Sequence, residues 1–218
     1  MKKRKNLITV AIDSPAAAGA GTQAKLISQH YNLFYLDTGK IYRYIGMLKL
    51  KSNKKFTYEL VKRKIKRLKL NYLKNKNLLS NDIAIAASQV AKDKKIRNIV
   101  HNFQQKCAYQ PPKKYKGSVL DGRDIITVQV KDAMFKFFIT ASLEVRAKRR
   151  FKEYNNLNKK ITYNEVLKSL RNRDKSDKQR KYGPLKKTKD SILINTSKLS
   201  KKSSFKIIKA IMDKKLNN

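Results

Sequence analysis

A stretch of small residues near the start of the chain has the composition of a phosphate-binding loop. It reads SPAAAGAGT over residues 14–22, between an apolar, β-branched run that ends at Ile12 and a helical pattern that contains Ile27. In a strand–loop–helix unit of this kind, free backbone N–H groups and the positive end of the helix dipole favour an anion. Gly19 and Gly21 let the backbone come close to such a ligand. The alternative is a plain turn of small residues.

The loop lacks the charged residue of the common phosphate-loop pattern. In the register GxxxxGK followed by Ser or Thr, Ser14 stands at the first glycine and Ala20 at the lysine. That lysine normally stabilises charge on a transferring phosphoryl group. The backbone scaffold of the pattern is therefore present without its cation.

A second set of polar residues comes directly after an apolar run. SVLDGRDIITV predicts a buried strand over residues 118–120 and places Asp, Gly, Arg and Asp at its carboxyl end, over 121–124. Open α/β sheets bind their ligands at that end. The position favours a ligand site over a surface loop.

Two other basic segments could contact the same ligand. Arg43 lies about one turn inside a helix predicted to begin near Lys40, and its planar guanidinium suits a phosphate group. Arg173, Asp177 and Arg180 are spaced by four and three residues, so they share one face of a helix. This helix could be a mobile basic flap. The alternatives are a solvated side chain at Arg43 and an exposed, salt-bridged helix.

The elements that would hold these residues alternate between strand and helix patterns. Further strands are predicted over 135–141 and 191–196, and an amphipathic helix ends the chain. Residues 56–116 instead predict an inserted helical lobe, with two helices that break near Asp93. This order, in a chain of 218 residues, predicts one α/β domain with an inserted lobe.

The charge of the chain bears on its partners. Lys and Arg number 54 and Asp and Glu 15, which gives a formal net charge of +39. The excess is spread along the chain rather than collected in one tail. This spread favours compositional drift and a phosphate-rich substrate over a dedicated nucleic-acid surface.

Disulfide, metal and membrane functions have little support in the sequence. Cys107 is the only cysteine, which excludes a disulfide framework, and with His30 and His101 it makes no metal-ligand cluster. Both histidines are expected to be surface or satisfied helix residues. No run approaches the ~20 apolar residues of a membrane helix. We expect a cytoplasmic protein without a membrane partner.

Six motifs, in chain order, resemble those of the bacterial cytidylate kinases, which belong to the P-loop nucleoside monophosphate kinases. The resemblance extends from Ile8 to about Ile211. The matching segments are AIDSPAAAGAGT (11–22), DTGKIYR (37–43), residues 86–91 with Arg97, LDGRDIIT (120–127), KFFITASLEVRAKRR (136–150) and RDKSDKQRKYGPL (173–185).

The resemblance implies a fold and an activity. The fold is an α/β P-loop NTPase core, in which helices flank a five-stranded parallel sheet, with an inserted helical lobe for the nucleoside monophosphate (NMP) and a lid. The reaction transfers the γ-phosphoryl group of ATP to CMP or dCMP, with Mg²⁺ held through the ATP phosphates. We expect a monomer without a dedicated nucleic-acid partner. The single kinase domain, 1–218, would divide into a core (1–40, 117–150 and 188–218), an NMP-binding lobe (41–116) and a lid (151–187).

The resemblance also implies the residues of the site. The implied ATP-binding residues are Ser14, Pro15, Ala16, Ala17, Ala18, Gly19, Ala20, Gly21 and Thr22. The implied CMP ligands are Thr38, Arg43, Ser88, Arg97, Arg123, Asp124, Asp177 and Arg180. The residues expected to stabilise the transferring phosphoryl group are Arg123, Arg149, Arg173, Arg180 and Lys40.

An active enzyme needs a replacement for the missing lysine. Lys40 is a better candidate than Lys25, because it begins a helix that faces the predicted cleft, whereas Lys25 lies one turn along the first helix and points away. A solvated lysine is the alternative at position 40. The chain could instead keep the fold and bind CMP or nucleic acid without transferring phosphate. The retained arginines favour the enzyme.

Overall fold

The computed structural model describes residues 7–52, 55–158 and 160–217. The parts of the predicted core, lobe and lid that fall on residues 1–6, 53–54, 159 and 218 lie outside these ranges.

Five parallel strands form one sheet within the described ranges, in the order β2-β3-β1-β4-β5. The strands are β1 (Ile8–Asp13), β2 (Leu33–Asp37), β3 (Gly117–Gly122), β4 (Phe135–Thr140) and β5 (Ile192–Asn195). Val10, Ala11 and Ile12 of the central strand β1 are buried, because helices cover both faces of an all-parallel sheet. The predicted fold class, a five-stranded parallel sheet flanked by helices, is confirmed.

Eight α-helices occur in the part of the chain that the structure describes. They are α1 (Ala20–Tyr31), α2 (Thr38–Ser52), α3 (Tyr58–Lys66), α4 (Asn81–Val90), α5 (Lys94–Tyr109), α6 (Leu143–Asn155), α7 (Tyr163–Gln179) and α8 (Lys201–Leu216). Shorter helical turns cover Leu70–Lys74, Lys76–Leu79 and Ile125–Gln129. In α1 and α8, Ile27 and Met212 are buried in one apolar cluster with β1, whereas Ile45 of α2 and Val100 of α5 belong to another. No helix among the described residues is long and apolar enough to cross a membrane.

The register of the sheet brings three acidic residues to one edge. Asp13 of β1 pairs with Gly122 of β3, and Asp37 of β2 pairs with Asp121 of β3. Parallel strands all end at the same edge of a sheet. The three carboxylates therefore lie where the phosphate loop begins.

Helices α2 and α4 approach each other closely within the predicted lobe. A Cβ on Gly46 would lie 2.7 Å from the backbone nitrogen of Ala87, so this contact requires glycine at position 46. Within the lobe, the Asp93 carboxylate accepts hydrogen bonds from the N–H groups of Lys95 (2.7 Å) and Ile96 (3.1 Å). The predicted break near Asp93 is confirmed, and its cause is that Asp93 caps α5.

Helix α2 begins at Thr38, two residues before the predicted start near Lys40. The prediction treated Thr38 and Gly39 as turn residues, because both types are common in turns. In the structure the Asp37 carboxylate accepts the backbone N–H of Lys40 (3.3 Å), which satisfies a donor in the first turn. The helix therefore starts directly after β2.

The segment predicted as a lid contains one long helix, α7, which starts with a capping box at Thr162. Val166 and Leu170 of this helix pack with Ala147 of α6 and with Ala16 of the loop. The sequence analysis did not predict this apolar contact. It places the lid helix directly against the phosphate loop.

Candidate active site

The phosphate loop connects β1 to α1 with two left-handed residues. Ala17 has φ 63° and Gly19 has φ 96°, and Gly19 caps α1. Left-handed residues in such a loop turn successive N–H groups into a concavity that binds anions. Glycine adopts this conformation without strain, whereas at Ala17 it costs about 1 kcal/mol. The loop thus keeps a phosphate-binding backbone with a strained alanine in it.

Two guanidinium groups of α6 contact the loop that lacks its own cation. Arg146 donates to the carbonyl of Ala16 (3.3 Å), and Arg149 donates to that of Ala18 (3.4 Å). Arg149 also donates to the Thr196 carbonyl (2.7 Å), which fixes its guanidinium beside the loop. Ala20, at the position of the usual lysine, is 5% exposed and packs in an apolar cluster, so this position supplies no positive charge.

Arg146 links the loop to the lid helix. Besides its bond to Ala16, its guanidinium forms an ion pair with Asp174 of α7 (2.6 Å) and donates to the Ala141 carbonyl (3.0 Å). The arginine side chain therefore joins the loop, α6 and α7.

Acidic residues at the strand ends face the start of α1. Asp13 is fully buried, and its carboxylate accepts the N–H groups of Ile125 (2.8 Å) and Ile126 (3.0 Å). Burial, together with the neighbouring charge of Asp124, raises the pKa of Asp13 to about 7. Burial and the adjacent Asp37 raise the pKa of Asp121 well above its ordinary value. Such a pair is stabilised by a nearby cation.

Positive charge is concentrated around the Asp177 carboxylate on the other side of the cleft. Arg123 donates to Asp177 (2.9 Å), and Arg173 lies 3.9 Å from the same carboxylate. Burial and the charge of Arg123 lower the pKa of Arg173 to about 10, with further contributions from Arg43 and Arg150. Like charges at this density are stabilised by a bound anion.

A second ion-pair network lies deeper between the lobe and the lid. Asp124 pairs with Arg97, and its other oxygen lies 3.7 Å from Arg180. Arg180 reaches Asp177 as well (3.6 Å) and donates to the carbonyl of Gly183 (2.6 Å). Although burial raises it, the surrounding arginines hold the pKa of Asp177 below its ordinary value. The network is a set of fixed donors and acceptors suited to a polar ring.

Two cavities flank these groups. One of about 500 Å³ lies between α4 and α7 and is lined by Arg43, Ser88 and Arg173. The other, about 280 Å³, lies beside the loop and is lined by Thr22, Arg149 and other residues. Small-molecule pockets have volumes of roughly 300–1,000 Å³. The arrangement provides space for two ligands, one on each side of the strand ends.

The structure brings most of the predicted site residues together. Arg43, Ser88 and Arg173 line the larger cavity, and the ion-pair networks contain the set Arg97, Arg123, Asp124, Asp177 and Arg180. Thr38 donates to the Asp121 carbonyl (2.7 Å) instead of pointing at a charged group. Lys40 lies in the first turn of α2, next to Asp37, so its role as a replacement cation stays a prediction.

The sequence analysis missed several contributors to the site. It did not identify Asp13 or Asp37, although each directly follows an apolar run, which was the available signal, and each is the last residue of its strand. It assigned no role to Arg146, Gln129 or Gly183. A Cβ on Gly183, whose φ is 57°, would lie 2.7 Å from Asp124 Oδ2, and no sequence pattern reveals this close approach.

Comparison with known proteins agrees with this geometry. The cytidylate kinase family model matches residues 10–215. The cytidylate kinase of Thermosipho melanesiensis is 40% identical over 216 residues, which cover 94% of this chain and 97% of that protein. The cytidylate kinase of Clostridium botulinum strain Langeland is 41% identical over 201 residues, 87% and 90% of the two chains. That of Bartonella tribocorum is 40% identical over 207 residues, 94% of each.

A solved structure shares the fold. The crystal structure of an uncharacterized protein from Eubacterium ventriosum matches with a TM-score of 0.54 and covers 94% of this chain and 98% of that one. Its sequence identity is 18%, so the likeness concerns the fold alone. The evolutionary assignment follows from the family match and the relatives at about 40% identity, which span nearly the whole chain. The chain belongs to the cytidylate kinase family.

Proposed function

We propose that this chain transfers the γ-phosphoryl group of ATP to CMP or dCMP and so produces CDP or dCDP and ADP. The observation that carries the proposal is the concentration of positive charge beside the larger cavity, where Arg123, Arg173 and Arg180 meet at the Asp177 carboxylate. The charges of Arg43 and Arg150 also act on Arg173. A phosphate group in the larger cavity would supply the missing negative charge. Because the chain belongs to the cytidylate kinase family, we expect that phosphate to be the one carried by CMP.

The loop is the proposed site for the ATP phosphates. Residues 14–22 offer backbone donors rather than a lysine, and Arg149 is fixed beside them. Phosphoryl transfer needs the two nucleotides in line and positive charge around the moving group, with little covalent chemistry from the protein. Arg123, Arg149, Arg173, Arg180 and Lys40 are the proposed sources of that charge.

Mg²⁺ bound with ATP fits the acidic pair at the strand ends. Asp121 Oδ1 is buried and has no hydrogen-bond partner among the described residues, and Asp37 is its neighbour in the sheet. Mg²⁺ is commonly held by one or two carboxylates together with water and substrate phosphates. The described ranges contain no cluster of three ligand side chains, and this mode needs none. When bound, the ion would neutralise charge on the ATP phosphates.

The CMP ligands divide into two groups in this proposal. Arg43, Arg97 and Arg123 hold the phosphate, with Thr38 and Ser88 nearby. Asp124, Asp177 and Arg180 select cytosine through its exocyclic amine and ring edge. Buried polar groups that match one base reject another base because they are left unpaired.

The division into core, NMP-binding lobe and lid is part of the same proposal. The lid, which contains α7, would close when both nucleotides bind, because their phosphates offset the repulsion among its cations. The larger cavity between α4 and α7 supports this assignment. A monomeric state and a cytoplasmic location stay predictions, which sedimentation and cell fractionation would test.

A coupled assay with ATP, Mg²⁺ and each nucleoside monophosphate tests the proposal. We expect CMP and dCMP to be turned over about 10² times more efficiently than AMP or GMP. Equal turnover of AMP and CMP would contradict the assignment of the base site. Binding of CMP without turnover, measured by calorimetry, would favour the alternative of a binding protein on the same fold. As a control, Arg63→Ala at an exposed position of α3 should leave all rates unchanged.

A further inference from the structure

A chain of hydrogen-bonded side chains leads from Asp124 to helix α5. Gln129 Nε2 donates to Asp124 Oδ2 (3.0 Å), and Gln129 Oε1 lies 2.7 Å from Nδ1 of His101. Gln129 is 2% exposed, whereas His101 is only partly buried. A histidine outside the cleft is thus connected, through one buried amide, to a carboxylate inside it.

The Asp124 carboxylate determines which group donates and which accepts in each of these hydrogen bonds. Asp124 is paired with Arg97, and a carboxylate can only accept hydrogen bonds. Gln129 must therefore turn its NH₂ group towards Asp124 and its carbonyl oxygen towards His101. Because that oxygen also only accepts, His101 must carry a proton on Nδ1. The opposite amide orientation would place two acceptors in contact at Asp124.

Gln129 adds a second donor at the Asp124 oxygen that Arg97 already binds, and so helps to fix the orientation of the carboxylate. Its amide and Arg97 share Oδ2, so Oδ1 is directed towards Arg180 at 3.7 Å. The backbone of Gln129 is fixed as well, because its N–H donates to the Asp124 carbonyl (3.2 Å) and its carbonyl accepts from Gln105 (3.3 Å). The amide is therefore a rigid support.

We propose that His101 and Gln129 are positioning residues that hold the Asp124 carboxylate in the orientation that recognises cytosine. The inference rests on the proposed role of Asp124 in CMP binding. A carboxylate that is already oriented loses little freedom when it accepts the exocyclic amine of the base. His101 acts through Gln129, and Gln129 acts through Asp124.

Substitutions of Gln129 and His101 test the inference. Gln129→Leu should raise the KM for CMP about tenfold, the effect of one hydrogen bond to a charged group, and leave kcat and the KM for ATP unchanged. His101→Leu should raise the same KM about fivefold, because Gln129 keeps its place but loses its fixed amide orientation. His101→Asn, which retains an N–H donor near the Nδ1 position, should restore the wild-type KM. The matched control is His30→Leu at an exposed histidine of α1, which should have no effect.

The connection between the two residues can be tested separately from their individual effects. A double variant, His101→Leu with Gln129→Leu, should show no larger KM for CMP than Gln129→Leu alone, since His101 acts through the amide. If the double variant instead shows a KM for CMP raised by the product of the two single effects, His101 does not act through Gln129 and the inference is wrong. Nitrogen-15 NMR of the imidazole should show the proton on Nδ1, and a neutral His101 protonated only on Nε2 would also overturn it.

A binding measurement separates failure of this inference from failure of the proposed function. The Kd for CMP, measured by calorimetry on the full chain without ATP, does not depend on catalysis. We expect Asp124→Asn and Gln129→Leu each to weaken CMP binding. Asp124→Asn should also lower the melting temperature, because it removes the carboxylate that pairs with the buried Arg97, so both Kd values are measured at a temperature at which circular dichroism shows each variant to be folded. Weaker binding by Asp124→Asn together with unchanged binding by Gln129→Leu would overturn the inference and leave the role of Asp124 intact. Unchanged binding by both variants would overturn the base-site assignment and the inference with it.

Discussion

On one side of the cleft, small residues and backbone groups form the phosphate loop over 14–22; on the other, long charged side chains form the acceptor network. The acceptor network consists of Arg43, Arg97, Arg123, Asp124, Arg173, Asp177 and Arg180. The loop departs from the usual pattern at Ser14 and Ala20, whereas every residue of the acceptor network stands in a segment that resembles a family motif.

The chemistry of the two sides explains this difference. Every residue except proline carries a backbone N–H, so a loop that binds through the backbone keeps its donors when side chains change. A guanidinium fork has no equivalent among other side chains, so the acceptor network cannot change without losing ligands. The comparison teaches that a loop can keep its phosphate-binding backbone while its sequence departs from the pattern, and that neighbouring helices then place positive charge beside it.

The largest expected effect is on the acceptor side. Arg123→Ala removes a guanidinium that bonds Asp177 (2.9 Å). We expect kcat/KM for CMP to fall by about 10³, because a cation proposed to hold the CMP phosphate and stabilise the transferring group is lost. Steady-state kinetics at varied CMP would measure it. Arg171→Ala, at an exposed position of the same lid helix as Asp177, is the matched control and should be silent. A loss below tenfold for Arg123→Ala would remove the contrast between the two sides.

The next largest effect tests whether a lysine replaces the missing loop cation. If Lys40 supplies that charge, Lys40→Ala should lower kcat by about 10² at saturating CMP and ATP. The double variant Ala20→Lys with Lys40→Ala should recover much of the loss, whereas Lys25→Ala should not change kcat. Full turnover by Lys40→Ala would exclude the relocation and leave the α6 arginines and the loop backbone as the source of stabilisation.

Two glycine substitutions, one on each side of the cleft, should each raise the KM for a different substrate. A Cβ at Gly183 (φ 57°) would collide with the Arg97–Asp124 pair, so Gly183→Ala should raise the KM for CMP about tenfold and leave the KM for ATP unchanged. A Cβ at Gly19 would make only an ordinary contact with Arg149 (3.8 Å), but φ there is 96°, so the strain of Gly19→Ala should raise the KM for ATP instead. Equal effects of either variant on both substrates would contradict the division of the site.

The smallest effect concerns strain in the loop. Ala17→Gly should raise the free energy of unfolding by about 0.5–1 kcal/mol, because glycine adopts φ 63° without steric cost. Ala18→Gly is the matched control, and it should lower stability because a buried methyl group is lost at a residue without positive φ. Chemical denaturation of both variants would measure the difference. A lower stability of Ala17→Gly would show that the loop is not strained at this position.

Local patterns were sufficient to predict the elements but not all of their ends. The apolar run before residue 14 and the break near Asp93 both follow from side-chain type and spacing, and both are confirmed. The start of α2 was wrong by two residues because the capping bond from Asp37 depends on where β2 ends. Arg173 and Asp177 lie on one face of α7, as their spacing predicted. The prediction was wrong for Arg180, which follows the last residue of the helix in an extended conformation, although it still pairs with Asp177.

By itself the sequence determined the order of strands and helices, the small-residue loop and the motifs of the family, because each depends on neighbours a few residues apart. Only the tertiary structure decided which charges meet. Arg123 bonds Asp177 across 54 residues, Arg97 bonds Asp124 across 27, and the Asp13 carboxylate accepts an N–H 112 residues away. Such pairs form where packed helices bring distant side chains within hydrogen-bonding distance, and periodicity along the chain carries no information about that distance. The connection from His101 through Gln129 to Asp124 is of the same kind, since it crosses from α5 to the turn after β3.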